Sequence, residues 1–92
     1  MKLEFDWDEA NREHISRHSV TTEEAEQAVL SPAVELEHQV VDDEERTLLL
    51  GFTNGGRFLV VVITERSGRI RVVTAYAAPK RLIPIYFKTI AG

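Results

Sequence analysis

The spacing of hydrophobic and polar positions changes along this chain, and each change marks an element. Leu3 to Phe5 is a short candidate strand. Asp6 can then cap a helix, with Glu9 three positions on completing a capping box. Trp7, Ala10, His14 and Arg17/His18 recur at helical spacing and carry this helix to about His18 or Ser19. A second helix opens at Thr21 with Glu24 in the box position, shows Ala25, Ala28 and Val29 as its apolar stripe, and stops at Leu30 or Ser31 before Pro32.

From Ala33 the period becomes two. Val34 and Leu36 alternate with Glu35 and Glu37, which predicts a half-buried strand over Ala33 to Glu37. Asp42 to Glu45 reads as a solvated turn, and Arg46 to Thr53 returns with Leu48, Leu50 and Phe52 on one face. Asn54-Gly55-Gly56 is a turn, because Asn and Gly accept the positive φ of tight hairpins. Phe58 to Thr64 is apolar on both faces, as a central strand is; Ser67-Gly68 makes the next tight turn, and Ile70 to Ala77 returns. Pro79 can open a C-terminal helix that Pro84 limits to little more than a turn, or kinks. The predicted class is α+β, in the order β-α-α-β-β-β-β-α. Two N-terminal helices lie on one face of a small, mostly antiparallel sheet, and a short helix ends the chain.

Size and charge refine this picture. A chain of 92 residues is expected to form one domain spanning residues 1–92. It has no cysteine, so neither a disulfide nor a thiolate metal site contributes. The opening MKLEFDWDE lacks a cationic segment followed by an apolar one, and the longest apolar run, Phe58 to Ile63, is too short to span a bilayer. A cytoplasmic location and no membrane partner are expected. The net charge of -4 hides a division: up to Arg46 there are 14 Asp/Glu against 4 Lys/Arg, and from Thr47 onward one acid, Glu65, against 7 bases. Either the molecule has one acidic and one basic face, or the halves neutralise each other across the fold.

The candidate chemistry lies on the last hairpin. If Ser67-Gly68 is a two-residue loop, Arg66 faces Arg69 and Thr64 faces Arg71, all on one side of the sheet. Like charges opposed across strands are destabilising, and Glu65 points to the other face. Three arginines without a nearby acid therefore predict an anion site, for which guanidinium suits bidentate phosphate binding. The plainer alternative is a solvated hairpin tip that guards against edge pairing. By the same parity Tyr76 belongs with Ile70 and Val72, opposite Arg69 and Arg71. Arg46 shares the face of Leu48 and Leu50, and a partner among Asp42 to Glu45 is expected for it. His14 and His18 have the i, i+4 spacing of zinc sites, but residue 15 is Ile and only the remote His38 could be a third ligand, so no metal and no cofactor is expected. His18 is a proton-transfer candidate, and Trp7 is expected in the core. Ile83, Ile85, Tyr86, Phe87 and Ile90 form an apolar tail to be buried against the domain or a partner.

The order F-x-W-D (Phe5 to Asp8), Arg17-His18 before Glu23-Glu24-Ala25, Glu45-Arg46 entering a strand, R-x-L-V-V-V…E-R (Arg57 to Arg66) and R-I-R-V-V-T-A-x-x-A (Arg69 to Ala78) resembles the BrnT-type toxins of bacterial type II toxin–antitoxin systems. The resemblance covers nearly the whole chain. It implies a RelE-like fold and a small ribonuclease that inhibits translation by cutting RNA, held inactive by an antitoxin encoded beside it. His18, Arg46 and Arg66 match charged positions typical of the family, and Tyr86 matches an aromatic near its C-terminus. Two departures are Tyr76, where the family carries Arg, and Leu82, where it carries an acid. The resemblance casts His18 as acid or base, Arg46 and Arg66 as phosphate clamps, and Arg69, Arg71, Lys80 and Arg81 as RNA-backbone cations of a metal-independent endoribonuclease. The alternative is a catalytically reduced relative acting as a protein-binding module, with the apolar tail also offering a route to homo-oligomers.

Overall fold

The computed structural model describes residues 3–92, and from the first helix onward the expected order of helices and strands holds. The elements are α1 (Glu9–Ser16), α2 (Thr22–Leu30), β1 (Val34–Val41), β2 (Glu44–Phe52), β3 (Phe58–Arg66), β4 (Arg69–Ala77), a 3₁₀ turn (Lys80–Leu82) and α3 (Ile83–Ala91). The four strands form an antiparallel meander in the order β1-β2-β3-β4. Leu3 to Phe5 is not a strand but a single parallel bridge, Phe5 to Ile70. Around it the Asp6 N–H donates to the Ile70 carbonyl at 2.8 Å, and the Ile70 N–H donates to the Glu4 carbonyl at 2.9 Å.

That bridge displaces the first cap. Asp6 is engaged with β4, so α1 is capped by Asp8, whose carboxylate accepts from the Asn11 N–H at 3.0 Å while Asn11 Oδ1 accepts from the Asp8 N–H at 2.8 Å. The helix ends at Ser16, short of the expected His18 or Ser19; it buries Asn11 and Ile15 and leaves Ala10 and His14 exposed, so its buried stripe is turned by about 100° from the one expected. The cap of α2 is as the spacing predicts, with Thr21 and Glu24 exchanging hydrogen bonds at 3.1 Å. Asp42-Asp43 alone form the β1–β2 turn, both with positive φ; Glu44 and Glu45 already belong to β2, and β1 runs on to Val41. Pro84 lies in the first turn of α3, where its missing N–H has no helical partner to lose, so it opens this helix rather than stopping it.

Helices cover both faces of the sheet. On one, Ile15, Val20, Ala25 and Ala28 pack on Leu59, Val61, Val72 and Ala75, with Trp7 at the rim donating Nε1–H to Glu26 Oε2 at 2.7 Å. On the other, Val34, Leu50 and Val60 meet Tyr86 of α3, whose hydroxyl donates to the Pro32 carbonyl at 2.7 Å. Aromatic edges among Phe52, Phe58, Tyr86 and Phe87 close that end. The far end of the same face carries no helix among the described residues, and it is there that the charged positions of β2, β3 and β4 emerge. No helix among the described residues is long and apolar enough to cross a membrane.

Candidate active site

Strand parity assembles the site. On β3, Val60, Val62, Thr64 and Arg66 point to the face that carries α3, and cross-strand partners share a face. The Ser67-Gly68 turn has the positive φ values of a two-residue hairpin, 54° and 75°, and sets Arg69 opposite Arg66 and Arg71 opposite Thr64, as the sequence predicts. Beyond them Val73 is left out of the ladder, between the pairs Ile63–Val72 and Val62–Thr74. This bulge resets the alternation: Tyr76 faces Val60 and so lies on the side of the arginines, not opposite them as unbroken parity requires.

Two further elements complete the surface. From β2, Glu44 and Arg46 continue the row of Leu48 and Leu50, and Thr64 Oγ1 donates to the Glu45 carbonyl at 2.8 Å, fixing the start of that strand. Helix α1 lies along β4, tied by Asn11 Nδ2, which donates to the carbonyls of Asp6 at 2.9 Å and Val72 at 3.1 Å. His14 therefore stands at one wall, Glu44 and Arg46 at the other, and Thr64, Arg66, Arg71 and Val73 between them. They enclose a shallow concavity of about 250 Å³. A larger hollow of about 720 Å³ is lined by Asp43, Glu44, Glu45 and Glu65, with His38 and no Lys or Arg, and would repel an anion.

The arginines do not lack acids. Glu44 accepts from Arg46 Nε at 2.9 Å and lies 3.5 Å from Arg66 Nη2; Glu4 lies 3.4 Å from Arg69 Nε. Arg71 Nη1 is 3.0 Å from Asp8 and 3.6 Å from Asp6, and its Nη2–H donates to Asp8 Oδ1 at 3.2 Å. The expectation fails because these carboxylates come from remote segments: residues 4–8, bridged to β4, and the start of β2. The Arg71 side chain is only 13% exposed, and its Nη1, though near both carboxylates, makes no aligned hydrogen bond. The hydrogen bond from Arg46, reinforced by the charges of Arg46 and Arg66 and opposed by partial burial, holds the Glu44 carboxyl below its ordinary range. Asp8 is lowered chiefly by its hydrogen bond from Arg71 and then by the Asn11 N–H, and Asp8 raises Arg71 in return.

Of the residues expected to act, Arg46, Arg66 and Arg71 line the concavity. Arg69 stands beside Arg66 across the hairpin. Lys80 and Arg81 are exposed in the 3₁₀ turn and His18 is exposed after α1; none of the three lines the concavity. The His18 ring is 5.7 Å from that of His14 and 6.2 Å from that of Tyr76, so a row of rings leads out of it. His14 and Glu44 were missed as site residues. The signals were there: His14 is the inner member of the i, i+4 pair, and Glu44 precedes Arg46 by the two positions that put both on one face. Among the described residues no three His, Cys, Asp or Glu side chains converge as a metal requires. Guanidinium groups around one hollow, a carboxylate on one wall and an imidazole on the other can hold an oxyanion and move protons to and from it.

A protein-family model described as "Ribonuclease toxin, BrnT, of type II toxin-antitoxin system" matches residues 7–81, a span that includes the concavity and ends before α3. A search of curated proteins gives no match.

Proposed function

This chain belongs to the BrnT family of ribonuclease toxins of bacterial type II toxin–antitoxin systems, and from that premise we propose that the concavity between α1, β2 and β4 is where it cuts RNA, without a metal ion, to stop translation. The family implies an antitoxin as its partner. One observation carries the reading: Arg46 and Arg66, from different strands, converge on the single carboxylate of Glu44. That is the geometry in which two guanidiniums would share a phosphate. The ribose 2'-hydroxyl attacks the adjacent phosphorus, and Arg46 and Arg66 stabilise the charge that gathers on its oxygens. Arg69 and Arg71 hold the flanking backbone, with Lys80 and Arg81 extending the path past β4. His18, beside Tyr76, meets the adjoining nucleotide and is the imidazole this reading makes available as acid or base.

The test is cleavage of RNA by the purified protein in excess chelator, with Arg46→Ala alongside. Wild type is expected to cut and the variant to lose about 10²- to 10³-fold in rate. Cutting that requires an added divalent ion removes the metal-free mechanism, and an unimpaired variant removes Arg46 from it.

A second reading, action by protein binding, is favoured by α3, where Ile85, Phe87 and Ile90 remain 46%, 57% and 52% exposed. In this reading a second copy covers them. Phe87→Glu with Ile90→Glu then converts a dimer to a monomer by size exclusion while sparing the buried Tyr86; a wild type that elutes as a monomer at every concentration removes it.

A further inference from the structure

We propose that Glu44 is the general base of this reaction, taking the proton from the 2'-hydroxyl, and that His14 on the opposite wall gives a proton to the departing 5'-oxygen. The inference rests on the ribonuclease reading above and assigns two residues which that reading leaves without a chemical role.

The argument is one of sides. In-line displacement at phosphorus puts the entering and leaving oxygens on opposite faces of the phosphate, so base and acid must flank it rather than stand together. Glu44 belongs to β2 and His14 to the helix along β4, with β3 between those strands. At the usual strand spacing the two outer backbones are roughly 10 Å apart, room for one phosphate between the side chains. Arg46 and Arg66 occupy the ground between, where the non-bridging oxygens would lie. Glu44 is partly accessible, and the Arg66 it faces is half exposed, so a phosphate can reach both.

Charge supplies the timing. Before RNA arrives the two arginines keep Glu44 ionised. A phosphate that takes over those guanidiniums removes the carboxylate's partners and places a like charge beside it, and both changes strengthen it as a base. The step balances within the site. The 2'-O–H proton passes to Glu44, the O–P bond forms, the P–O5' bond breaks with its electron pair on O5', and that oxygen takes a proton from the His14 imidazolium. The products are a 2',3'-cyclic phosphate and a 5'-hydroxyl, and proton exchange with water restores both side chains.

A purely structural Glu44, a resting stand-in for phosphate, predicts the opposite behaviour, and Glu44→Gln separates the two. Two measurements are made on it: binding of an uncleavable 2'-O-methyl oligonucleotide, and single-turnover cleavage of the matching RNA across pH. Binding is expected to be as tight as wild type or tighter, which also shows that the variant folds. Cleavage is expected to fall by about 10²-fold or more, and the acidic limb of the rate profile to vanish. His14→Ala is expected to be slow on ordinary RNA and to recover on RNA with a 5'-sulfur leaving atom, which departs without a proton; Glu44→Gln is not expected to recover. Wild-type cleavage with an equally fast or faster Glu44→Gln overturns the role of Glu44 alone. Failure of the 5'-sulfur substrate to rescue His14→Ala overturns that of His14. Wild type that binds the uncleavable strand and leaves RNA intact overturns the ribonuclease reading and this inference together.

Discussion

Arg66 and Arg71 have the same parity and the same chemistry, yet their surroundings separate function from stability. Arg66 is half exposed and shares Glu44 with Arg46, whereas Arg71 is nearly buried between Asp6 and Asp8. Arg66→Ala is therefore expected to keep the wild-type melting temperature and lose about 10²- to 10³-fold in RNA cleavage. Arg71→Ala is expected to melt clearly lower, since it removes the largely buried guanidinium that ties Asp6 and Asp8 to β4 and so unfastens the segment that caps α1. Paired thermal melts check this, and equal melting of the two variants would contradict it. The arginine positions were legible in the sequence, because a two-residue Ser67-Gly68 turn leaves one register. Their counter-ions were not, because Asp8 and Arg71 are 63 positions apart and are brought together by the Phe5–Ile70 bridge and the packing of α1 along β4.

At the scale of elements, the features that escaped the sequence are those that interrupt a regular pattern without a residue that announces it. Thr21 and Glu24 declare the cap of α2, and Asn54-Gly55-Gly56 declares a turn. Nothing in Arg69 to Ala77 marks Val73 as the residue left out of the ladder, since Val, Thr and Ala would all continue the alternation. Yet that bulge turns Tyr76 toward the arginines. The first N-cap follows the same logic: Asp6 with Glu9 fits a capping box, but the bridge to β4 engages Asp6 and the cap falls to Asp8. One close approach is legible only in three dimensions. A Cβ on Gly51 would lie 2.1 Å from the Ala28 carbonyl oxygen, so α2 can pack on β2 only where the side chain is absent. Gly51→Ala is expected to cost about 3 kcal/mol in urea denaturation, at or above the usual range for overpacking, because backbone rather than a movable side chain is in the way. A cost below about 0.5 kcal/mol would show that α2 can shift.

For the molecule as a whole, part of the division of charge is neutralised across the fold: Glu24 with Arg57, Glu44 with Arg66, Glu4 with Arg69, and Asp6 and Asp8 with Arg71. Asp8, Glu24 and Glu44 are all lowered from ordinary values of 3.8, 4.5 and 4.5, in each case with an arginine among the causes. A lowered carboxylate stabilises the fold above its unfolded value and loses that contribution as pH falls through the folded one. The melting temperature is thus expected to be level near neutrality, to drop once pH passes below those ordinary values, and to drop less in Glu24→Gln. The same neutralisation governs RNA binding. Four arginines contacting three phosphates of a single strand, Arg46 and Arg66 sharing one, would give a log–log salt slope of about -2.1. Here each phosphate must first displace a carboxylate, and the freed carboxylates gather cations from solution as the RNA releases its own. Those two exchanges oppose each other, so wild type is expected to show a shallower slope. Replacing Glu4 and Glu44 with Gln and Asp6 with Asn, which spares the Asp8 cap, is expected to tighten binding at low salt and steepen the slope toward that value. An unchanged slope in the triple variant would mean that RNA does not compete with these acids for the arginines.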